Sequence, residues 1–181
     1  MTQRWLFLAL GLASLMAGCV TPQQQAFLQD DVAWAKQVTT RFDPYKSVTI
    51  TQGEDLDNSL ARVFLRSTRS AQFPGVDGIV IYVYAKLENW KFLSSAYGID
   101  GHRFDTVVLD RDVRFCTRYG CSLAEHLVLH TNRQYLRKHI ERGLDIRLDG
   151  QRGNHPIYLP PAYIVAFLAS LPPERANTPT Y

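Results

Sequence analysis

The chain has 181 residues, of which 46% are hydrophobic and 20% charged, with a formal net charge of +3. A chain of this size forms one domain able to bury about 68–70% of its unfolded surface. That composition excludes a disordered chain, a collagen-like rod and a disulfide-dense miniprotein.

Residues 1–18 begin with a single positive charge at Arg4, run apolar from Trp5 to Leu15 and end in the small pair Ala17-Gly18 before Cys19. A basic start, about 7–15 apolar residues and a small-residue cleavage site make a secretory signal, too short and wrongly flanked to span a bilayer. Leu15-Met16-Ala17-Gly18-Cys19 resembles the lipobox of bacterial lipoproteins, with Met16 where Leu is usual. The resemblance implies cleavage before Cys19, a diacylglycerol on its thiol and an acyl group on the new amino terminus. Val20, in place of Asp, implies sorting to the outer membrane, facing the periplasm. Several chains hold firmly, since each buried methylene contributes about 0.8 kcal/mol. Residues 19–24 then form a tether, and loss of the signal removes only Arg4 among charged groups.

Lipidation of Cys19 settles the cysteine arithmetic. Three cysteines would leave an odd thiol in an oxidising compartment, whereas Cys116 and Cys121 alone form a pair. They bracket Thr117-Arg118-Tyr119-Gly120, which predicts a disulfide across a hairpin end. The spacing is not the C-x-x-C of redox enzymes, and a zinc site lacks a second ligand pair.

Thr21 to about Phe42 places Leu28, Val32, Ala35, Val38 and Phe42 at helical spacing and stops before Asp43-Pro44. This predicts an amphipathic helix whose Phe27 and Trp34 pack on the core rather than in lipid. Beyond Lys46 the period changes. Ser47–Thr51, Arg62–Arg69, Ile79–Leu87, Trp90–Tyr97, Arg103–Arg114, Ser122–His130, Leu144–Leu148 and Ile157–Leu159 are rich in β-branched and aromatic residues and separated by turn residues. Ile79–Tyr84 is apolar at nearly every position, which suits a central strand buried on both faces. Thr131-Asn132 caps a second helix through Leu136, His139 and Ile140 that stops at Gly143. Pro160-Pro161 opens a third over Ala162–Leu171, too short to be a membrane anchor. The fold expected is mainly β (α+β), an antiparallel β-sandwich-like domain over 25–171 with N-terminal, middle and C-terminal helices and a loose tail over 172–181.

Chemistry-bearing residues gather in Ser122–His130. Strand alternation puts Glu125 with Leu123, Leu127 and Leu129 on the apolar face, and His126 and His130 on the other. A buried carboxylate needs a partner. Setting Val107, Leu109 and Val113 against Leu129, Leu127 and Leu123 brings Arg111 opposite Glu125 and Asp110 opposite His126, which predicts a structural Arg111–Glu125 ion pair. His126 and His130 lie roughly 13 Å apart on a strand, too far to share an ion. No GxSxG, HExxH or glycine-rich phosphate loop occurs, and no catalytic residue, metal or cofactor is expected.

Arg62, Arg66 and Arg69, with Arg133, Arg137, Lys138 and Arg142, are the densest basic groups, and Arg62 and Arg66 share a strand face. Trp90, Tyr97 and Tyr119 read as core rather than as a sugar-stacking platform. The mature chain resembles small lipoprotein β domains of Gram-negative envelopes in Trp90-Lys91-Phe92, Asp112-Val113, Cys116 to Cys121, Glu125 and Leu159-Pro160-Pro161-Ala162-Tyr163-Ile164. That resemblance implies a fold type and a location, and no activity. The expected function is a non-catalytic binding or assembly module in the periplasm, membrane-bound through its anchor. Its partner would be an envelope protein, lipopolysaccharide or peptidoglycan, with no nucleic acid. The alternative is a small periplasmic hydrolase or metal-dependent enzyme using Glu125, His126 and His130.

Overall fold

A computed structural model describes residues 30–72, 77–118 and 120–174. The signal, Cys19, the tether, Phe27, Leu28, Tyr119 and residues 175–181 lie outside the described residues. Ten strands form one antiparallel sheet: β1 (Thr39–Asp43), β2 (Val48–Gln52), β3 (Leu56–Asp57), β4 (Ala61–Ser70), β5 (Asp77–Leu87), β6 (Leu93–Gly98), β7 (Arg103–Thr117), β8 (Gly120–Thr131), β9 (Leu144–Gly150) and β10 (Gly153–Leu159). Among the described residues the helices are α1 (Asp31–Ala35), α2 (Arg133–Arg137) and α3 (Pro161–Ser170). The strand order is β1-β2-β4-β5-β8-β7-β6-β9-β10, with β3 beside β2 on the same edge of β4. The mainly β, sandwich-like architecture agrees with the sequence, and each of the eight expected strands is present.

The sheet folds over at β7. Its first residues pair with β6 (Arg103 with Tyr97, Phe104 with Ala96), and from Asp105 onward it pairs with β8 alone among the described residues. One leaf therefore runs from β1 to β7 and the other from β6 to β10. Their inner faces supply Leu65, Ile81, Leu127 and Leu129 on one side and Leu93, Ile146, Leu148 and Leu159 on the other, all essentially buried. Far from the β7 bend, the buried His155 of β10 reaches the Leu60 carbonyl oxygen at 3.0 Å. Burial, followed by the nearby Lys91 charge, pushes the His155 pKa below the usual imidazole value, so a neutral ring donates this bond between the leaves.

Helix α3 fills the core with Tyr163 and Phe167. The Tyr163 hydroxyl stands in for a missing strand partner between β2 and β3. It accepts the Leu65 N–H (3.0 Å) and donates to the Glu54 carbonyl (2.9 Å). A side chain at Gly53 would meet that hydroxyl at 2.4 Å, so only glycine lets the ring approach.

The first helix is a correction. Among the described residues of that segment, from Asp30 onward, the helix covers Asp31–Ala35 and Thr39–Asp43 is a strand. The spacing that included Val38 and Phe42 fitted a helix, yet β-branched Thr39 and Thr40 pair with β2, and the Thr40 and Thr51 hydroxyls lie 3.1 Å apart. Val32 and Phe42 are exposed, whereas Trp34 is buried edge-on against Tyr163, with ring centroids 5.3 Å apart. Helix α2 is also shorter than expected: the Asn132 side chain caps it through the Tyr135 N–H (2.8 Å), and the chain turns loosely to Gly143 at φ 78°. Residues 172–174 of the expected loose tail are held, since the Pro172 carbonyl accepts from Arg69 and Arg133 and Glu174 meets Arg137 at 3.0 Å.

Beyond Val113 and Leu123 the β7–β8 hairpin projects past β5 as a two-stranded arm. The Cys116–Cys121 disulfide crosses its end, one pair before the Thr117 to Gly120 turn. A loop this short carries little closure entropy. We expect Cys116→Ser with Cys121→Ser to keep the fold and lose no more than about 2 kcal/mol in urea unfolding. Tyr163→Phe should lose about 1–3 kcal/mol in the same assay, because it leaves a buried N–H and a carbonyl unmatched.

Candidate functional site

Glu125 is fully buried on the inner face of β8 and opposite Arg111 on β7, as the register argument predicts. Its Oε1 accepts the N–H groups of Lys91 and Phe92, both at 2.8 Å, and its Oε2 accepts that of Leu93 at 2.6 Å. Arg111 Nε meets Oε2 at 3.4 Å, and the same guanidinium donates to the Leu93 carbonyl at 3.2 Å. Four donors on its two oxygens, three of them backbone N–H groups of one turn with Phe92 at φ 54°, make this carboxylate a backbone clamp. Its acceptor sites are occupied, so no oxygen is presented to a substrate. The sequence signals the Arg111 partner, but not the three N–H groups, which lie more than thirty residues away in sequence.

His126 and His130 point to the opposite, outer face. His126 packs edge-on against Tyr84 (4.5 Å) and lies 3.4 Å from Asp112, while Asp110, its register partner, takes the Arg111 N–H instead (2.7 Å). His130 is exposed. Glu125, His126 and His130 therefore do not converge. Among the described residues no group of three His, Cys, Asp or Glu side chains is placed to hold a metal ion.

The expected pairing of β7 with β8 holds at Asp110, Arg111 and Val113 and fails beyond Leu109. A bulge there sets Val108 against Leu127, Thr106 against Leu129 and Val107 against Val128. Val108 takes the inner position, while Val107 and Leu109 are 43% and 53% exposed and line a hollow on the outer face. A second bulge lies between Val113 and Phe115.

These bulges help build a surface on the outer face of the first leaf. Phe64 and Tyr82 stack at 4.8 Å across β4 and β5. Arg66 lies over Tyr82 (5.8 Å), and Arg62 and Arg114 lie over Tyr84, each at 5.2 Å. A shallow trough of about 400 Å³ runs across four strands, walled by Val80, Val107, Leu109 and Val128, with Arg66 and Tyr82 at one side. Strand β5 is central, as its apolar run predicts, but it is buried on one face only: Val80, Tyr82 and Tyr84 are half-buried. That is a further correction, and it leaves an apolar strand face partly open.

Two other clusters spend most of their polar groups internally, although the buried His139 Nε2 has no hydrogen-bond partner among the described residues. A larger hollow of about 710 Å³ on the second leaf includes Tyr97, Asp145 and Arg147, but Arg147 is already paired with Asp149 at 2.8 Å. Asp100 accepts the Tyr135 hydroxyl (3.0 Å) and the His102 N–H (3.1 Å), and Tyr135 packs between His102 (4.2 Å) and His139 (4.7 Å). Burial, with the Asp100 contact second, pushes the Tyr135 phenol well up, and the cluster fixes the β6–β7 turn on α2. Trp90 packs near Phe92 (6.4 Å) at the edge of the core, while Tyr97 lines the larger hollow.

No protein-family model, curated protein or solved structure matches the chain. Any functional reading therefore rests on the sequence and the geometry. If the Glu125 clamp holds the β5–β6 connection, Glu125→Gln should lose about 3–5 kcal/mol in urea unfolding, because an amide N–H₂ would face backbone donors and strand the Arg111 charge.

Proposed function

We propose that the chain is a lipid-anchored cell-envelope lipoprotein of the outer membrane, facing the periplasm, and that its β domain is a non-catalytic binding or assembly module. The observation that carries this reading is the order of features over residues 1–19: one basic residue, an apolar run, Ala17-Gly18 and then Cys19. The Cys116–Cys121 disulfide supports it, because such bonds persist in oxidising compartments. Among the described residues no helix is long and apolar enough to cross a membrane, so attachment in this reading is through acyl chains.

The binding role draws on the contrast between the two faces of the first leaf. Inner polar groups such as Glu125 and Arg111 use their hydrogen bonds on each other and on nearby backbone. The outer face instead offers aromatic rings under guanidinium groups and an open apolar trough, a composition typical of recognition surfaces. An envelope protein, lipopolysaccharide or peptidoglycan are partner classes present in that compartment.

Cells expressing the chain should incorporate radiolabelled palmitate into it and carry it in the outer-membrane fraction. Cys19→Ser should abolish the label and release the protein from that fraction. Unlabelled wild-type protein, or fractionation unaffected by the substitution, would remove the anchor reading.

A further inference from the structure

The trough on the outer face combines two features that the rest of the fold does not reconcile. Its walls are mainly aliphatic, with Val107 and Leu109 of β7 substantially exposed beside Val80 of the central strand β5 and Val128 of β8, while Thr68 and His130 also line it. At its side stands a cation without a counter-charge. Arg66 is half-buried, its Nε, like that of Arg62, is shielded from water without a hydrogen-bond partner, and no carboxylate among the described residues pairs with it. Its neighbour Arg62 is matched by Asp55 at 3.5 Å, and Lys86 by Asp57. In the row through Arg66 the nearest acid is Asp105, three strands away across Val80 and His130, or roughly 14 Å at ordinary strand spacing. Tyr82 provides a ring beneath the guanidinium, which leaves its net charge intact.

We propose that this trough binds a single-chain anionic amphiphile of the fatty-acid class, with the aliphatic tail against Val80, Val107, Leu109 and Val128 and the carboxylate on Arg66. Charge complementarity and shape select this occupant. One uncompensated cation matches one negative charge, and a trough of about 400 Å³ takes one chain, whereas a two-chain phospholipid would leave its second chain in water. An extended peptide suits it less, because peptide N–H and C=O groups need partners all along their length and, besides Arg66 and Tyr82, only Thr68 and His130 offer polar side chains in a mainly aliphatic wall. Strand addition along the open side of β7 is blocked by its own features: two bulges, acidic Asp105, Asp110 and Asp112, and the Asp110 carboxylate covering the Arg111 N–H. The inference deepens the binding-module reading by naming a ligand class, and it does not depend on the anchor at Cys19.

The purified full chain, kept soluble by an uncharged amphipathic polymer, is titrated with the fluorescent fatty acid cis-parinaric acid. Saturable binding near one probe per chain is expected, displaced by palmitate and not by hexadecanol. Arg66→Gln should weaken it about tenfold or more, and Leu109→Asp, at an exposed position that leaves the fold intact, should abolish it. Arg147→Gln, on the other leaf and already paired with Asp149 at 2.8 Å, should leave it within about twofold. Equal displacement by hexadecanol, or unchanged affinity in Arg66→Gln, would overturn the proposal. Two further outcomes overturn it by naming another occupant: binding to phosphatidylglycerol vesicles without binding of the free acid, or a concentration-dependent dimer that Leu109→Asp dissociates. A failed palmitate label at Cys19 with intact probe binding would remove the anchor and keep this site; the converse result would do the opposite.

Discussion

The buried carboxylate of Glu125 is the constraint around which the two leaves are joined. Strand β5 belongs to the first leaf and β6 to the second, so the connection between them must reverse sharply, running from exposed Glu88 and Asn89 back into the core at Leu93. Backbone N–H groups at such a turn cannot be left without partners inside the protein. Glu125 takes three of them in succession, and Arg111 balances the charge while binding the Leu93 carbonyl. The same packing requires glycine at position 150, where a Cβ would strike the Lys91 carbonyl at 2.3 Å. Burying a carboxylate, even one paired with a partly exposed arginine, is a costly way to gain stability, but it accepts only one arrangement of its donors, and here that arrangement specifies where the sheet folds over.

The residues that were legible in the sequence are those whose burial imposes a matching requirement. Glu125 on an apolar strand face demanded a cation, and only one register placed Arg111 opposite it while matching Val113 to Leu123. The bulge at Leu109 was not legible, because Val108 and Leu109 are equally apolar and nothing local states which should face inward. Thr39–Asp43 misled for a related reason: Val38 and Phe42 satisfy a four-residue spacing, and the strand exists only because β2 is there to pair with it. The Lys91–Leu93 N–H groups carry no side-chain signal at all. The outer face was half legible. Shared parity placed Arg62 and Arg66 together, but the trough needs walls from β5, β7 and β8, and their order in the sheet is a tertiary fact.

Arg111 and Arg66 show how the same chemistry is used in opposite ways. Each guanidinium lies over an aromatic ring, Phe92 at 5.6 Å and Tyr82 at 5.8 Å. Arg111 also meets a carboxylate and a carbonyl, so its positive charge is consumed in holding the fold. Arg66 has the ring alone. Natural folds seldom leave a half-buried cation unmatched without use, since partial desolvation weakens its hydration and gives nothing back. The difference between these residues is the physical basis for assigning structure to one face of the leaf and recognition to the other.

The disulfide belongs to that outer surface as much as to the fold. Past Leu123 the hairpin loses β5 as a neighbour, and Val113 and Phe115 are exposed, so burial no longer holds the two strands together. A bare two-stranded ribbon is marginal in water. The Cys116–Cys121 bond restores the constraint where hydrophobic packing ends. Between it and the core, Arg114 reaches back over Tyr84, which Arg62 also covers and which packs against His126. Pinning the end of the arm thus limits the freedom of the strand that carries Leu109, the β7 residue nearest the arm that lines the proposed trough.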